Sequence, residues 1–135
     1  MKTARVEAIG TLRKAKVAYY NHNMKKYEEH LYNENMEVTS MLGDITMMER
    51  KPFLHLHANL GRKDMSGGGH LVSAEVHRFL GVVITPTSNV ASRRYDETLP
   101  ECDLRYSLTG EQVNNSDGPR RLGLDEVTEL RIGQR

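Results

Sequence analysis

Short apolar runs bounded by turn residues recur along the first 86 residues, the pattern of strands, whose successive side chains point to opposite faces. Residues 6–13 alternate weakly and predict a strand. Residues 15–20 (Ala-Lys-Val-Ala-Tyr-Tyr) predict a second, with Asn21-His-Asn-Met24 as the turn after it. Residues 26–32 suit either a short helix or an edge strand, because the spacing of Tyr27 and Leu31 does not decide. Residues 36–42 predict a strand closed by Gly43-Asp44 and followed by residues 45–48. Two more strands are expected on either side of a glycine-rich turn, at residues 51–61 and 70–76. Phe79-Leu-Gly-Val-Val-Ile84 is the most apolar β-branched run, and Thr85-Pro86 ends it. Strands joined by short turns, without helices between them, argue an antiparallel sheet rather than βαβ units. From Ser107 the chain turns polar, with Gly118-Pro119 as a breaker and a short helix conceivable at residues 125–132.

Composition narrows the class. A chain of 135 residues is one domain, large enough to bury a core without covalent staples. The single cysteine, Cys102, excludes an internal disulfide and suits a reducing compartment. No apolar stretch approaches the ~20 residues of a membrane span and no signal peptide follows Met1, so a cytoplasmic protein with no membrane partner is expected. The net charge of +1 carries no message. Its distribution carries a faint one, since Lys2, Arg5, Arg13, Lys14, Lys16, Lys25 and Lys26 face only Glu7 in the first 26 residues. Such a stretch can track phosphates, although a solvated strand face has the same composition.

The chemistry concentrates in three histidines. His55-Leu-His57 lies in the run Lys51-Pro-Phe-Leu-His-Leu-His-Ala-Asn-Leu-Gly61, and alternation sends both imidazoles to the same side, roughly 6.5–7 Å apart along the strand. The intervening Gly61-Arg-Lys-Asp-Met-Ser-Gly-Gly-Gly69 is turn chemistry. If it folds back between Lys63 and Asp64, His70 lands opposite His57, where paired Cβ atoms lie about 4.5–5.5 Å apart. Three imidazoles then converge as a divalent cation requires. A glycine bulge would shift the register by one and turn His70 away. His22, His30 and His77 have no such company and are taken as surface or hydrogen-bonded core residues. Glu75 and Asp64 are the acids nearest in sequence. Glu75, five residues past His70, is expected on the opposite strand face as an exposed residue.

Ile9-Gly-Thr-Leu-Arg-Lys-Ala-Lys-Val-Ala-Tyr-Tyr20, Glu37-Val-Thr-Ser-Met-Leu-Gly43, Phe53-Leu-His-Leu-His-Ala-Asn-Leu-Gly61 and Gly68-Gly-His-Leu71 together resemble the PPC domain, the plants-and-prokaryotes-conserved family in its prokaryotic form. The motifs keep order and spacing over roughly residues 4–98. The resemblance implies an α+β fold, an antiparallel sheet flanked by little helix and assembled as a homotrimer. It also implies a metal, usually taken as zinc, on His55, His57 and His70. Members are commonly labelled DNA-binding, largely because plant relatives join the domain to AT-hooks. The family normally opens with a strand and a helix ahead of the segment matching residues 1–10, so the chain looks N-terminally shortened. Gly118-Pro-Arg-Arg121 lacks the Arg-Gly-Arg-Pro core of an AT-hook. Residues 1–98 are thus expected to form the domain, and 99–135 an atypical, partly disordered tail.

Three functions follow as expectations. The first is a metal-binding module that also binds DNA weakly and without sequence preference, at about 10⁻⁴–10⁻⁶ M, through Lys14, Lys16, Lys25 and Lys26. The second is a zinc enzyme resembling acetolactate decarboxylase, since three histidines leave a fourth position open. The third is a structural trimer that acts by binding other proteins. No assembled set of acid, base and charge-stabilising residues is visible, which ranks the enzyme behind the module.

Overall fold

The structure, a computed structural model, describes residues 3–88 and 90–93 with their side chains, and the backbone of 94, 105–109, 120–123 and 130–131. All of it is strand and turn. In chain order the strands are β1 (Ala4–Asn21), β2 (Lys26–Tyr32), β3 (Met36–Met48), β4 (Lys51–Arg62), β5 (Met65–Pro86), β6 (Val90–Arg94), β7 (Arg105–Thr109), β8 (Arg120–Gly123) and β9 (Leu130–Arg131). They make one sheet in the order β2-β1-β5-β4-β3-β6-β7, with β8 and β9 on β5. Because β1 also pairs with β3, the pairings β1–β5, β5–β4, β4–β3 and β3–β1 close a ring.

Closure gives the apolar side chains one shared interior. Ala4, Val6, Ala8 and Leu12 on β1, Met36, Val38 and Met41 on β3, and Leu56, Ala58 and Leu60 on β4 are all buried. All of these but Ala4 meet Leu71, Ala74 and Leu80 of β5 in one cluster. Each fully buried leucine contributes about 1.5–3 kcal/mol relative to leaving it in water. The intervening residues, His55, His57 and Asn59 among them, must point outward. The same pattern that builds the core therefore sets out the histidines.

Several boundaries differ from expectation. Residues 6–13 and 15–20 form one strand, and so do 70–76 and 79–84. Their junctions are irregularities in the β1–β5 ladder near Leu12–Lys14 and at residues 77–79, where Arg78 takes φ 66°. Residues 36–48 likewise run straight through Gly43-Asp44.

The α+β class is corrected: no helix occurs among the described residues. Residues 26–32, where a helix was one option, pair with β1 at every position from Ala15↔Tyr32 to Asn21↔Lys26. A seven-residue helix would be two turns long and marginal in water, whereas the strand gains ladder bonds and the cross-strand contact of Tyr20 with Tyr27 at 5.3 Å. The helix conceived at residues 125–132 lies largely outside the described residues, and Leu130–Arg131 within it pairs with Ala74 and Ser73 as a strand.

Candidate metal centre

The β4–β5 hairpin is in the register that convergence needs. Six consecutive pairs run from Arg62↔Met65 to His57↔His70, so Lys63-Asp64 is the whole loop and no slip intervenes. The glycines before His70 make this seating feasible. Gly69 sits at φ +154°, and a Cβ there would stand 2.7 Å from the Ala18 carbonyl oxygen of β1, while one on Gly68 would run into the Ala58 carbonyl of β4. With strands close on both sides, only glycine lets β5 thread between them.

The three imidazoles gather on the outer face. Ring centroids lie 5.0 Å apart for His55–His57, 5.0 Å for His55–His70 and 5.6 Å for His57–His70. One ligating nitrogen from each falls within 4.8 Å of the others. His55 Nε2 and His57 Nε2 are 3.2 Å apart. A tetrahedral ion with bonds of about 2.0–2.1 Å holds its nitrogens about 3.3–3.4 Å apart, so this donor set suits a divalent cation of zinc's size. Tyr27 borders the site, its ring 6.2 Å from His70.

A buried arginine stands behind the histidines. Arg93 of β6 is 3% exposed. It donates from Nε to Thr46 Oγ1 at 2.8 Å and from Nη2 to Asp44 Oδ1 at 2.7 Å, and Nη2 lies 2.9 Å from His55 Nδ1. Its guanidinium carbon is 5.5 Å from the Phe53 ring centroid, a cation–π contact. Burial, then Arg93, then the neighbouring imidazoles lower the pKa of His55 to about 4, against an opposing pull from Asp44. Burial first, then His57 and Arg93, also lower that of His70. Both rings are neutral at pH 7, the state in which imidazole ligates.

Neither Asp44 nor Arg93 was among the expected site residues. Asp44 could have been found by counting, because it faces His55 across the β3–β4 hairpin. Arg93 had no sequence signal, since it reaches the site through the parallel pairing of β6 with β3. Glu75 is ion-paired with Arg13 at 2.9 Å and lies 3.9 Å from Lys14.

The expected phosphate-binding lysines fall on the β1–β2 hairpin and are not a uniform basic surface. Lys14 faces Glu75, and Lys16 lies 3.5 Å from Glu29 of β2. Lys25 and Lys26 are exposed at the hairpin's end, Lys25 at φ 50°.

Residues 1–88 match the family model of the Plants and Prokaryotes Conserved (PCC) domain. A metal-containing protein from Archaeoglobus fulgidus is similar at 32% identity and TM-score 0.70, over 79% of this chain and 75% of that one. A plant- and prokaryote-conserved protein from Pyrococcus horikoshii matches at 26% identity and TM-score 0.70, over 81% and 76%. A protein proposed to bind DNA, from Bacteroides thetaiotaomicron, matches at 27% identity and TM-score 0.69, over 83% and 76%. The comparison with curated proteins finds no match.

Proposed function

Because the chain belongs to the Plants and Prokaryotes Conserved domain family, we propose that it is a cation-binding module of that family, with His55, His57 and His70 holding one divalent metal, zinc in the first instance. The observation that carries this reading is the 3.2 Å separation of the His55 and His57 nitrogens beside His70, a donor set already at ligating distance. The metal-containing Archaeoglobus relative supports it. Zinc held by three imidazoles would keep a fourth position for water or an anion, and in that position it acts as a Lewis acid. Binding ranks ahead of catalysis because Asp44, the acid beside the site, is engaged by Arg93, and Glu75 is engaged by Arg13. The spaces beside His57 are open grooves on the sheet surface. Elemental analysis after zinc is supplied at neutral pH should find one metal per chain, and none in His57→Ala. Less than one metal per three chains would reject the reading.

DNA binding is the second reading, supported by the Bacteroides relative and by Lys14, Lys16, Lys25 and Lys26 on one hairpin. With Lys14 and Lys16 faced by acids, the contacts are to phosphates and weak. Replacing all four lysines by Ala should weaken every duplex alike and flatten the salt dependence. A titration at low salt without binding would remove DNA from the account. A cytoplasmic homotrimer belongs to the same proposal, supported by the exposure of Ile9, Leu42 and Phe79, together with a domain of residues 1–98 and a tail of 99–135. Light scattering that gives a mass of about 15 kDa would reject the trimer. Among the described residues, no helix is long and apolar enough to cross a membrane.

A further inference from the structure

The sheet ends on β2, and that edge lacks the usual guards. Among the described residues β2 pairs with β1 alone, through seven consecutive positions without a bulge. It holds no proline, and its single lysine, Lys26, sits at the very end. A regular, accessible edge presents a row of backbone N–H and C=O groups ready to pair with another strand. Residues 26–31 are all exposed, and they include Tyr27 and Leu31 at 41% and 47%. The residues of β2 also say which strand fits. Antiparallel pairing of Lys26–Tyr32 with itself about Glu29 engages all seven positions, so that Tyr27 faces Leu31 twice and Glu28 faces His30 twice. The first is an apolar pair, and in the second an imidazole N–H can donate to a carboxylate; such opposed pairs are what stabilises a sheet. Glu29 alone meets its own kind, and Lys16 stands 3.5 Å from it. Moving the register by one residue sets Glu28 against Glu29 in one direction and against Leu31 in the other. Moving it by two leaves five pairs.

We infer that β2 is a docking edge for β2 of a second copy of this chain, in the antiparallel register centred on Glu29. The two rings then join through one continuous sheet. Directly opposed residues share a face, so both histidine triads come to lie on the same side of it. Cross-strand partners also set them on one row, since His57 faces His70, His70 faces Ala18 and Ala18 faces Glu29. With strands about 4.8 Å apart, the two His70 positions stand about 24 Å from each other across the two-fold axis. The pairing needs no metal. It is also separate from the trimer contact, which draws on Ile9, Leu42 and Phe79, and the two contacts together give six chains. Seven residues a side make a small interface, of the weak and transient class unless a trimer multiplies it.

The test combines sedimentation of the full chain at rising concentration with oxidative cross-linking. The mass should approach an even multiple of the 15.4 kDa chain, two copies or six. Leu31→Lys, which puts a cation opposite Tyr27 and guards the edge, should halve that mass. The register is read with cysteines, in a Cys102→Ser background that removes the chain's one native thiol. Glu29→Cys opposes thiol to thiol at a Cα separation of about 4.5–5.5 Å, inside the range a disulfide spans, and should give a covalent dimer. Glu28→Cys faces His30 of the second copy and should stay uncrosslinked. A wild-type mass of one or three chains at the highest concentration would overturn the docking edge. Cross-linking through Glu28→Cys as readily as through Glu29→Cys would do the same. An even-numbered mass that Leu31→Lys leaves unchanged would put the two-fold contact on another surface. If Leu31→Lys does not fold, the wild-type mass and the cysteine pair decide.

Discussion

His55 and His70 owe their neutral state to burial beside a fixed cation, and this has a consequence for stability. In the unfolded chain a histidine takes up a proton near pH 6.5, whereas folded His55 does so only at about 4. Between those values the unfolded state binds more protons, so metal-free protein should lose stability as the pH falls from about 6.5 toward 4. Above 6.5 this residue should have no effect. Urea midpoints across pH 4.5–7.5 should show that slope, and His55→Asn should flatten it; equal slopes in the two proteins would contradict the assignment. Gly69 is the other sensitive position. A methyl group at φ +154°, 2.7 Å from the Ala18 oxygen, should cost about 1–3 kcal/mol in Gly69→Ala, and zinc capture should fall as His70 is displaced. The histidine triad was legible because its geometry follows from alternation and one turn. Asp44 was within reach of the same counting. Arg93 was not, because a contact made by a parallel strand 38 residues past His55 leaves no local periodicity.

Among the elements, the two hairpins around β4 show where legibility ends. The turn expected over residues 61–69 is only Lys63-Asp64, with Gly67, Gly68 and Gly69 paired inside β5, yet its midpoint predicts His57↔His70 correctly. The β3–β4 turn is as tight, Met48↔Lys51 around Glu49-Arg50, yet both loop residues have positive φ, 48° and 66°. Such a turn normally carries Asn-Gly, and two ordinary residues there give no sequence signal and hold backbone strain. Replacing Glu49-Arg50 by Asn-Gly should therefore raise stability by about 1 kcal/mol, read as a higher urea midpoint with an unchanged m-value. A lower midpoint would mean that these side chains do more than turn the chain. The breaks expected near Lys14 and at residues 77–79 were real features of another kind, since β1 and β5 stay paired through irregularities instead of ending.

At the scale of the whole molecule, strand content and antiparallel order could be read from periodicity, and the closed ring could not. Closure depends on β1 pairing with both β3 and β5, partners chosen by a shared interior and not by any local signal. Helix entered the expected fold through the family and through residues 26–32, where the spacing of Tyr27 and Leu31 left it open and pairing with β1 decided for strand. The ring also decides what a bound cation should do. His55 and His57 lie on β4 and His70 on β5, so a single ion would tie two of the four ring strands, and only in the folded state. Binding to the native state alone stabilises by RT ln(1 + [L]/Kd), about 2.7 kcal/mol at a free zinc concentration of 100 Kd. For a domain of this size that corresponds to a rise in Tm of about 5–15 °C, growing with the logarithm of zinc concentration. Calorimetry with a zinc buffer should show this rise, and excess chelator should reverse it. His70→Ala should abolish the rise while leaving the metal-free Tm within a few degrees, because the half-buried His70 lies outside the core cluster. An equal rise in wild type and His70→Ala would place the zinc elsewhere on the chain.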